Sequence, residues 1–165
     1  MHYSIIIMGV SGSGKSTIGK LLSKKLNIDF IEGDEYHSNE SLKKLSSGIA
    51  LTDNDRIKWL NKLNSIIHKK VTHSSCVVSC SALKKKYRSM LRKNISNRIK
   101  FVYLEGSYSL INERLIKRKN HFMSNSLLKS QFKALEIPSN SIKIDIRSNP
   151  VSIVETILKN INKGK

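Results

Sequence analysis

Eight residues near the start of the chain have the spacing of a phosphate-binding loop. The segment Gly9-Val10-Ser11-Gly12-Ser13-Gly14-Lys15-Ser16 matches G-x-x-x-x-G-K-[ST] at every required position. An apolar segment centred on Ile5-Ile6-Ile7 precedes it and an amphipathic helical pattern follows it, which is the context that this loop requires. A chance glycine turn explains this combination poorly, so the motif predicts a nucleotide-binding loop.

The residue types of this loop suit the phosphates of ATP. Glycines permit backbone angles that turn successive N–H groups inward, and a helix N-terminus adds its positive dipole. Lys15 is expected to reach the β and γ phosphates, Ser16 to place its hydroxyl on Mg²⁺, and Thr17 to approach the α phosphate. The segment thus predicts one catalytic residue, Lys15, one metal ligand, Ser16, and seven ATP-binding residues: Gly9, Gly12, Ser13, Gly14, Lys15, Ser16 and Thr17.

Polar residues after the second apolar segment are candidates for handling a phosphate acceptor. Asp34 is predicted to orient an acceptor hydroxyl and to take its proton, although a turn capped by this carboxylate is the alternative. For Glu32, an indirect contact with Mg²⁺ and plain solvation both stay open. His37, taken alone, is interpreted as an ordinary loop residue.

A third polar group opens the next helical pattern. Asp53 is predicted to cap this helix, and Arg56, one turn in, has the planar fork that binds a carboxylate through two hydrogen bonds. Trp59 is assigned to the core.

No Asp or Glu follows the apolar segment that ends at Ser79, so the usual second carboxylate for Mg²⁺ is missing there. This pattern favours a small-molecule kinase over a motor or transport ATPase.

The elements that must position these residues alternate between strand and helix. Strands are predicted at Tyr3–Met8, Asp29–Ile31, Cys76–Cys80, Lys100–Leu104 and Ile142–Ile146. Helices are predicted at Lys15–Leu26, Asp53–Lys69, Lys85–Arg92, Leu110–Arg118, Ser126–Leu135 and from Pro150 onward, with 38–51 irregular or partly helical. This order indicates one α/β domain, a P-loop kinase fold whose five-stranded parallel sheet has helices on both faces. The motif-bearing loops then share one edge of the sheet.

Composition restricts the class of protein. The chain has 165 residues, 39% hydrophobic, and no apolar run approaches the roughly 20 residues that span a bilayer. The short apolar start lacks a basic leader, so a cytoplasmic location is the default expectation. The net charge of +18 raises the possibility of a nucleic-acid partner. Because the cations are scattered and no aromatic platform accompanies them, only weak, salt-sensitive binding to nucleic acid is expected.

Several further motifs resemble the gluconokinase family of P-loop small-molecule kinases. The resemblance extends from about Ser4 to Pro150, and its most particular signatures are Cys-Ser-Ala-Leu-Lys and Ser-Gln-Phe. It is carried by 8–16, Glu32-Gly33-Asp34-Glu35-Tyr36-His37, Asp53-Asn54-Asp55-Arg56, Trp59-Leu60, 80–85, Tyr87-Arg88, Arg114-Leu115, Arg118, His121-Phe122, Ser130-Gln131-Phe132, Leu135-Glu136 and Pro138.

The resemblance implies ATP-dependent phosphorylation of D-gluconate at its 6-hydroxyl, with Mg²⁺, by a homodimer. It also implies a mobile lid near 118–128 that closes over the phosphates and excludes water, for which a solvated basic helix end is the alternative. Arg118 is then catalytic and ATP-binding, and Arg114 and Pro150 flank the adenine. The implied substrate-binding residues are Asp34, His37, Arg56, Lys84, Arg88, His121 and Gln131.

Two positions depart from the family pattern. Glu32 stands where the family usually has Asp, and Ser38 where it usually has Pro, which puts the loop after His37 in question. A shikimate-like or nucleoside-monophosphate-like kinase is the competing interpretation within the same architecture. A basic nucleic-acid-binding NTPase is the competing interpretation from another class.

Overall fold

A parallel sheet forms the centre of the molecule. The computed structural model describes residues 2–117 and 125–163. Its strands are β1 (Ser4–Met8), β2 (Asp29–Glu32), β3 (Cys76–Ser79), β4 (Ile99–Glu105) and β5 (Ile142–Asp145). They pair in the order β2-β3-β1-β4-β5, every pair parallel. The predicted five-stranded parallel sheet is confirmed. Strands β2 and β3 lie on one side of β1, and strands β4 and β5 lie on the other. The loop after β1 therefore lies where the strand order reverses, which is the usual ligand position in such folds.

Helices cover both faces of this sheet. They are α1 (Lys15–Leu26), α2 (Asn39–Ser46), α3 (Asp53–His73), α4 (Lys85–Arg92), α5 (Tyr108–Lys117), α6 (Asn125–Ala134) and α7 (Pro150–Lys163). Short 3₁₀ turns occupy Gly33–Tyr36 and Ser96–Arg98. In the described part of the chain, no helix is long and apolar enough to cross a bilayer.

Alternation along β1 divides the core into two layers. Ile5 and Ile7 pack in one cluster with apolar side chains of α1, α5, α6 and α7. Ile6 and Met8 point to the opposite face and pack with side chains of α3 and α4. Because both faces are covered, the strand is apolar at every position after Ser4, as parallel strands usually are.

The start of α3 differs from its prediction. Thr52 is the N-cap: its hydroxyl accepts the Asp55 N–H, and the Asp55 carboxylate accepts the Thr52 N–H in return. Asp53 is the first residue inside the helix and does not cap it. The helix also continues beyond the predicted Lys69 to His73. A capping box satisfies two helix-end N–H groups at once, which explains why Thr52 takes this position in place of Asp53.

The departure at Ser38 has a structural role. The Ser38 hydroxyl accepts the Ser41 N–H at 3.1 Å and thereby caps α2. The segment predicted as irregular or partly helical thus contains a helix of two turns. A proline at this position has no hydroxyl with which to make this contact, so the serine supplies a helix start of its own.

Candidate active site

Three neighbouring cavities lie at the carboxyl edge of the sheet, around the loop after β1. The first, of about 310 Å³, is lined by Gly12, Ser13, Gly14, Thr17, Ile18, Arg114, Lys117, Ile146, Ser148, Pro150 and Ile153. Arg114 is held in place because its guanidinium donates to the Ile146 carbonyl at 2.6 Å. The predicted nucleotide residues of α5 and α7, Arg114 and Pro150, therefore meet the glycine loop here.

The second cavity, of about 180 Å³, is the phosphate loop itself. Its lining residues are Ser11, Gly12, Gly14, Lys15, Ser16, Thr17 and Asp34. Gly12 and Gly14 have φ of 81° and 97°, left-handed angles that side chains rarely adopt. The loop leads directly into α1, so backbone N–H groups and a helix N-terminus surround one space. The Lys15 ammonium donates to the Val10 carbonyl at 3.1 Å, across this loop.

Gly9 lies behind the loop and lines none of these three cavities. Its φ is 146°, and a Cβ there would lie 2.9 Å from Ser13 Oγ and 3.0 Å from the Leu104 carbonyl. The Ser13 hydroxyl is itself buried. Gly9 therefore supports the loop by close packing, and its assignment as a nucleotide contact stays a prediction.

The third cavity, of about 210 Å³, adjoins the second and has a mixed lining. Its polar members are Ser11, Lys15, Asp34, His37, Arg56, Ser81 and Gln131, and its apolar members are Leu42, Leu45, Leu51 and Trp59. Lys15 and Asp34 also line the phosphate cavity. A molecule in the third cavity would therefore lie between a carboxylate and the phosphate loop, with a cation, Arg56, in the same wall.

Asp34 is positioned by contacts of the residue before it. A Cβ on Gly33 would lie 2.2 Å from the Ser79 carbonyl, so only glycine permits this approach of the β2 and β3 ends. The Gly33 N–H donates to Ser79 Oγ at 3.3 Å, and the Gly33 carbonyl accepts the Trp59 indole N–H at 2.8 Å. The Asp34 side chain stays 63% exposed, and its carboxylate is thus accessible to an acceptor.

Glu32 ends β2 beside the end of β3, where the sequence has no Asp or Glu. It is aligned with Ser79 in the β2–β3 pairing, and the Ser79 hydroxyl donates to its carboxylate. Glu32 lines none of the three cavities. This hydrogen bond shows that its carboxylate is structurally engaged, in contrast to the plain solvation left open by the sequence.

His37 belongs to the acceptor cavity and is held by Trp59. The two rings stack with centroids 4.0 Å apart, and the imidazole Nε2 lies 3.8 Å from the Asp34 carboxylate. Burial lowers the pKa of His37; the Asp34 charge acts in the opposite direction, and the Arg56 charge lowers it further. The imidazole is therefore neutral near pH 7. An ordinary solvated loop histidine does not fit these contacts.

Arg56 reaches the same cavity from the first turn of α3. Its guanidinium donates to the Leu51 and Thr52 carbonyls and lies 5.7 Å from the centroid of the Tyr87 ring. These contacts hold a guanidinium fork at the cavity wall. The prediction that Arg56 faces the acceptor space is consistent with this placement.

Asp53 binds Lys84, which the family resemblance assigned to the substrate, and two residues of α4. Its carboxylate pairs with Lys84 at 2.9 Å, pairs with Lys86 and accepts the Tyr87 hydroxyl. Hydrogen bonds from Lys86, Tyr87 and Lys84 hold the pKa of Asp53 well below its usual range. Burial and the Asp53 hydrogen bond raise the pKa of Tyr87 to about 12. Asp53 thus fastens α3 to α4.

Two predicted substrate residues lie outside the acceptor cavity. Lys84 points to Asp53 and lines none of the three cavities. Arg88 is buried and donates to the Ala82 and Leu83 carbonyls at 3.0 and 2.9 Å, facing another cavity beside α4. The structure therefore gives both residues contacts within the protein, and their assignment to the substrate stays a prediction.

Gln131 enters the site through a contact that the sequence did not reveal. Its side-chain carbonyl oxygen accepts the backbone N–H of Ser11 at 2.7 Å. This hydrogen bond joins α6 to the phosphate loop across 120 positions of sequence. The apolar wall of Leu42, Leu45 and Leu51 was likewise not predicted, and helical spacing in 38–51 was the signal that would have suggested it.

The predicted lid is only partly described. Arg118 and His121, assigned to ATP, catalysis and substrate, lie outside the described residues, as does the rest of 118–124. Residues 125–128 belong to the first turn of α6, and Leu127 and Leu128 are buried. The carboxyl end of the predicted lid is therefore packed helix.

The loop offers hard oxygen donors for Mg²⁺. Ser16 and Asp34 line the same cavity, and Mg²⁺ in nucleotide sites is usually held by one or two protein oxygens together with phosphates and water. No cluster of three or more His, Cys, Asp or Glu ligands occurs among residues 2–117 and 125–163. The residues present thus fit a nucleotide-bound Mg²⁺ and give no sign of an all-protein metal cage.

Comparison with known proteins agrees with this geometry. The shikimate kinase family model matches residues 11–161. The chain is 42% identical to the thermosensitive gluconokinase of Escherichia coli over 92% of this chain and 83% of that protein. It is also 42% identical to a gluconokinase of Arabidopsis thaliana, over 94% of this chain and 90% of the relative.

A solved structure gives the same result in three dimensions. A gluconokinase from Sinorhizobium meliloti superimposes with a TM-score of 0.90 at 40% sequence identity, covering 98% of this chain and 92% of that one. These identities extend over nearly the full length of each protein. The chain belongs to the gluconokinase family, and most of it also matches the shikimate kinase family model.

Proposed function

We propose that this protein is a single-domain kinase that transfers the γ-phosphoryl group of ATP to the 6-hydroxyl of D-gluconate, giving 6-phosphogluconate and ADP. One observation carries the proposal: Lys15 and Asp34 line both the phosphate cavity and the adjoining acceptor cavity. A phosphate donor and a hydroxyl acceptor would therefore meet between a cation and a carboxylate. The membership of the gluconokinase family supports gluconate as the acceptor.

The nucleotide is expected to extend over the first two cavities. Its base lies near Arg114 and Pro150, and its phosphates lie on the loop amides and the start of α1. Mg²⁺, held by the phosphates and the Ser16 hydroxyl, would neutralise charge on the phosphates. Lys15 places a second positive charge beside the transferring group, and such preorganised charge stabilises the transition state.

The acceptor is expected to lie between Asp34 and Arg56. Asp34 orients the 6-hydroxyl and accepts its proton as the oxygen attacks phosphorus. Arg56 binds the gluconate carboxylate at the other end of the chain of carbons, and neutral His37 offers hydrogen-bonding nitrogens beside them. The leucine wall helps to exclude water, which favours transfer over hydrolysis. Arg118 and His121 complete the site in this proposal through a closing lid.

Competing interpretations are less favoured. A shikimate or nucleotide acceptor shares the architecture but does not fit identities of about 40% to gluconokinases. For the basic surface we propose no specific nucleic-acid partner, because its cations are scattered along the sequence. A homodimer is proposed from the family resemblance, and the cytoplasm is proposed as the default location. Light scattering at several protein concentrations tests the homodimer directly.

Product identification tests the proposal. The protein is incubated with ATP, Mg²⁺ and gluconate, and the product is examined by ³¹P and ¹H NMR. A phosphomonoester coupled to the C6 methylene protons is the expected result. Release of inorganic phosphate alone, or phosphate on another carbon, contradicts the proposal. Lys15→Ala prepared in parallel should be at least ~10²-fold slower and excludes a contaminating kinase.

A further inference from the structure

We propose that the cavity between α4 and the segment after α6 is a second anion site, which binds a phosphate group outside the active site. The cavity measures about 250 Å³, and Lys85, Arg88, Arg92, Phe101, Glu136 and Asn140 are among its lining residues. None of these six lines the nucleotide, phosphate or acceptor cavities. The inference is independent of the proposed kinase activity.

The charge of this cavity is unbalanced. Its lining contains three cations, Lys85, Arg88 and Arg92, and one carboxylate, Glu136. The Glu136 carboxylate already accepts the backbone N–H of Lys85. Arg88 is only 8% exposed. Burying like charges beside each other is unfavourable unless a counter-charge accompanies them, so an anion in this cavity would relieve the repulsion.

The electrostatic coupling between the two arginines agrees with this imbalance. Burial lowers the pKa of Arg88, the Glu136 charge opposes that effect, and the Arg92 charge adds to it. The two guanidinium groups are thus close enough to disfavour each other's charge. A dianionic group between them would stabilise both.

The donors are oriented before any anion arrives. Arg88 is fixed because one guanidinium nitrogen donates to the Ala82 and Leu83 carbonyls. Arg92 is fixed against the Phe101 ring, with its guanidinium carbon 4.8 Å from the centroid. The Arg92 Nε is buried and has no hydrogen-bond partner within the described structure. Unsatisfied buried donors are rare, and planar guanidinium forks suit phosphate oxygens.

The position of the cavity connects it to the active site. The Glu136 N–H donates to the Leu83 carbonyl at 2.9 Å, which joins the end of α6 to the loop after β3. That loop contributes Ser81 to the acceptor cavity, and α6 contributes Gln131. A phosphate bound beside Arg92 would stabilise the contact between the end of α6 and the loop after β3. Free phosphate and the phosphoryl group of a phosphorylated sugar acid share the required chemistry.

Calorimetry on the full chain tests the site. The phosphate loop is first saturated with Mg²⁺ and a non-hydrolysable ATP analogue, since it would otherwise bind phosphate itself. Inorganic phosphate and 6-phosphogluconate are then titrated separately. We expect saturable binding of phosphate, weakened about tenfold or more by Arg92→Gln. Lys93→Gln removes the same charge from the exposed neighbouring position and is expected to leave the affinity unchanged.

The results distinguish free phosphate from a phosphorylated sugar acid as the ligand, and they show whether the site exists. Equal affinities identify the phosphate group as the recognised feature. Tighter binding of 6-phosphogluconate identifies a phosphorylated sugar acid as the ligand only when Arg92→Gln weakens it, because binding in the acceptor cavity does not depend on Arg92. Absence of binding, or equal weakening by both substitutions, overturns the proposal. If Arg92→Gln does not fold, the Arg92 Nε–H resonance of the wild-type protein replaces it. This resonance must shift on phosphate addition, and an unchanged resonance contradicts the site.

Discussion

The carboxamide of Gln131 binds the phosphate loop directly: its oxygen accepts the Ser11 backbone N–H at 2.7 Å. The two residues also line the acceptor cavity together with Lys15. This bond places α6 in contact with the phosphate loop. Gln131 was predicted as a substrate residue, and the structure adds a contact with the nucleotide side.

Gln131→Leu should affect both substrates. A neutral hydrogen bond contributes roughly 0.5–1.5 kcal/mol, which is about 2- to 12-fold. We therefore expect kcat/KM to fall by about this factor for ATP and for gluconate, as measured by initial rates with each substrate varied. Lys133→Ala, on an exposed position of the same helix, is the control and should be unchanged. An effect restricted to gluconate would show that Gln131 does not act through Ser11.

Asp34→Asn tests the proton acceptor. The substitution keeps the size of the side chain but removes its basic oxygen, so kcat should fall by about 10²–10⁴-fold. ATP binding, measured by calorimetry with the non-hydrolysable analogue, should change little. A loss confined to ATP affinity would instead place Asp34 with the metal and phosphates.

Arg56→Ala tests the recognition of the acceptor carboxylate. A hydrogen bond between charged groups contributes roughly 1.5–3 kcal/mol, so KM for gluconate should rise about 10- to 150-fold with ATP binding nearly intact. Arg56→Lys keeps the charge but loses the planar fork and should cost less. The preference for gluconate over glucose should narrow, since glucose has no carboxylate.

Two control substitutions test whether Arg56, and not a neighbouring lysine, binds the gluconate carboxylate. Lys58→Ala removes a charge from an exposed position half a turn along α3 and should leave KM unchanged. Lys84→Ala should have a smaller effect than Arg56→Ala, because Lys84 pairs with Asp53 away from the cavity. If gluconate preference survives in a folded Arg56→Ala protein, the carboxylate is bound elsewhere.

His37 should make stability depend on pH. Its pKa is lowered from 6.5 in the folded protein, chiefly by burial, so the unfolded chain binds more protons between the two values. Stability should therefore be unaffected by this group above pH 6.5 and fall as the pH decreases through the folded pKa. His37→Gln should show a smaller loss over the same range, as measured by urea unfolding at a series of pH values.

The fluorescence of Trp59 gives a second measurement of the protonation of His37. It is the chain's single tryptophan, and its ring stacks on His37 with centroids 4.0 Å apart. Because an imidazolium quenches indole fluorescence, emission should fall with a midpoint below pH 6.5 while the protein stays folded. A midpoint at or above 6.5 would contradict the burial argument, and His37→Gln should abolish the transition.

Local sequence patterns predicted the sheet and the phosphate loop because their signals are short-range. Apolar periodicity gave the strands, and Gly12, Gly14, Lys15 and Ser16 follow one another in a fixed spacing. The cavity that contains Asp34 and Arg56 was also anticipated, since parallel strands bring their carboxyl ends to one edge.

Sequence patterns missed contacts that depend on how particular side chains pair in the folded chain. Arg88 and Lys84 were assigned to the substrate by family resemblance. In the structure, Arg88 donates to carbonyls five and six positions away, and Lys84 pairs with Asp53, 31 positions away. The Gln131–Ser11 and Trp59–Gly33 bonds join residues 120 and 26 positions apart. Thr52, and not Asp53, caps α3 because Thr52 forms a capping box with Asp55. The prediction considered only the preference of Asp for the N-cap position and not this pair of residues.

The most direct measurement is an acceptor comparison in a coupled assay of ADP formation, with D-gluconate, D-glucose, shikimate and nucleoside monophosphates supplied separately at equal concentration. The account predicts a kcat/KM for gluconate far above the other values, with ADP and phosphorylated product formed in equal amounts. Faster turnover with shikimate or a nucleotide would contradict it. So would ADP formation that proceeds at the same rate without any acceptor, because the enzyme would then be an ATPase.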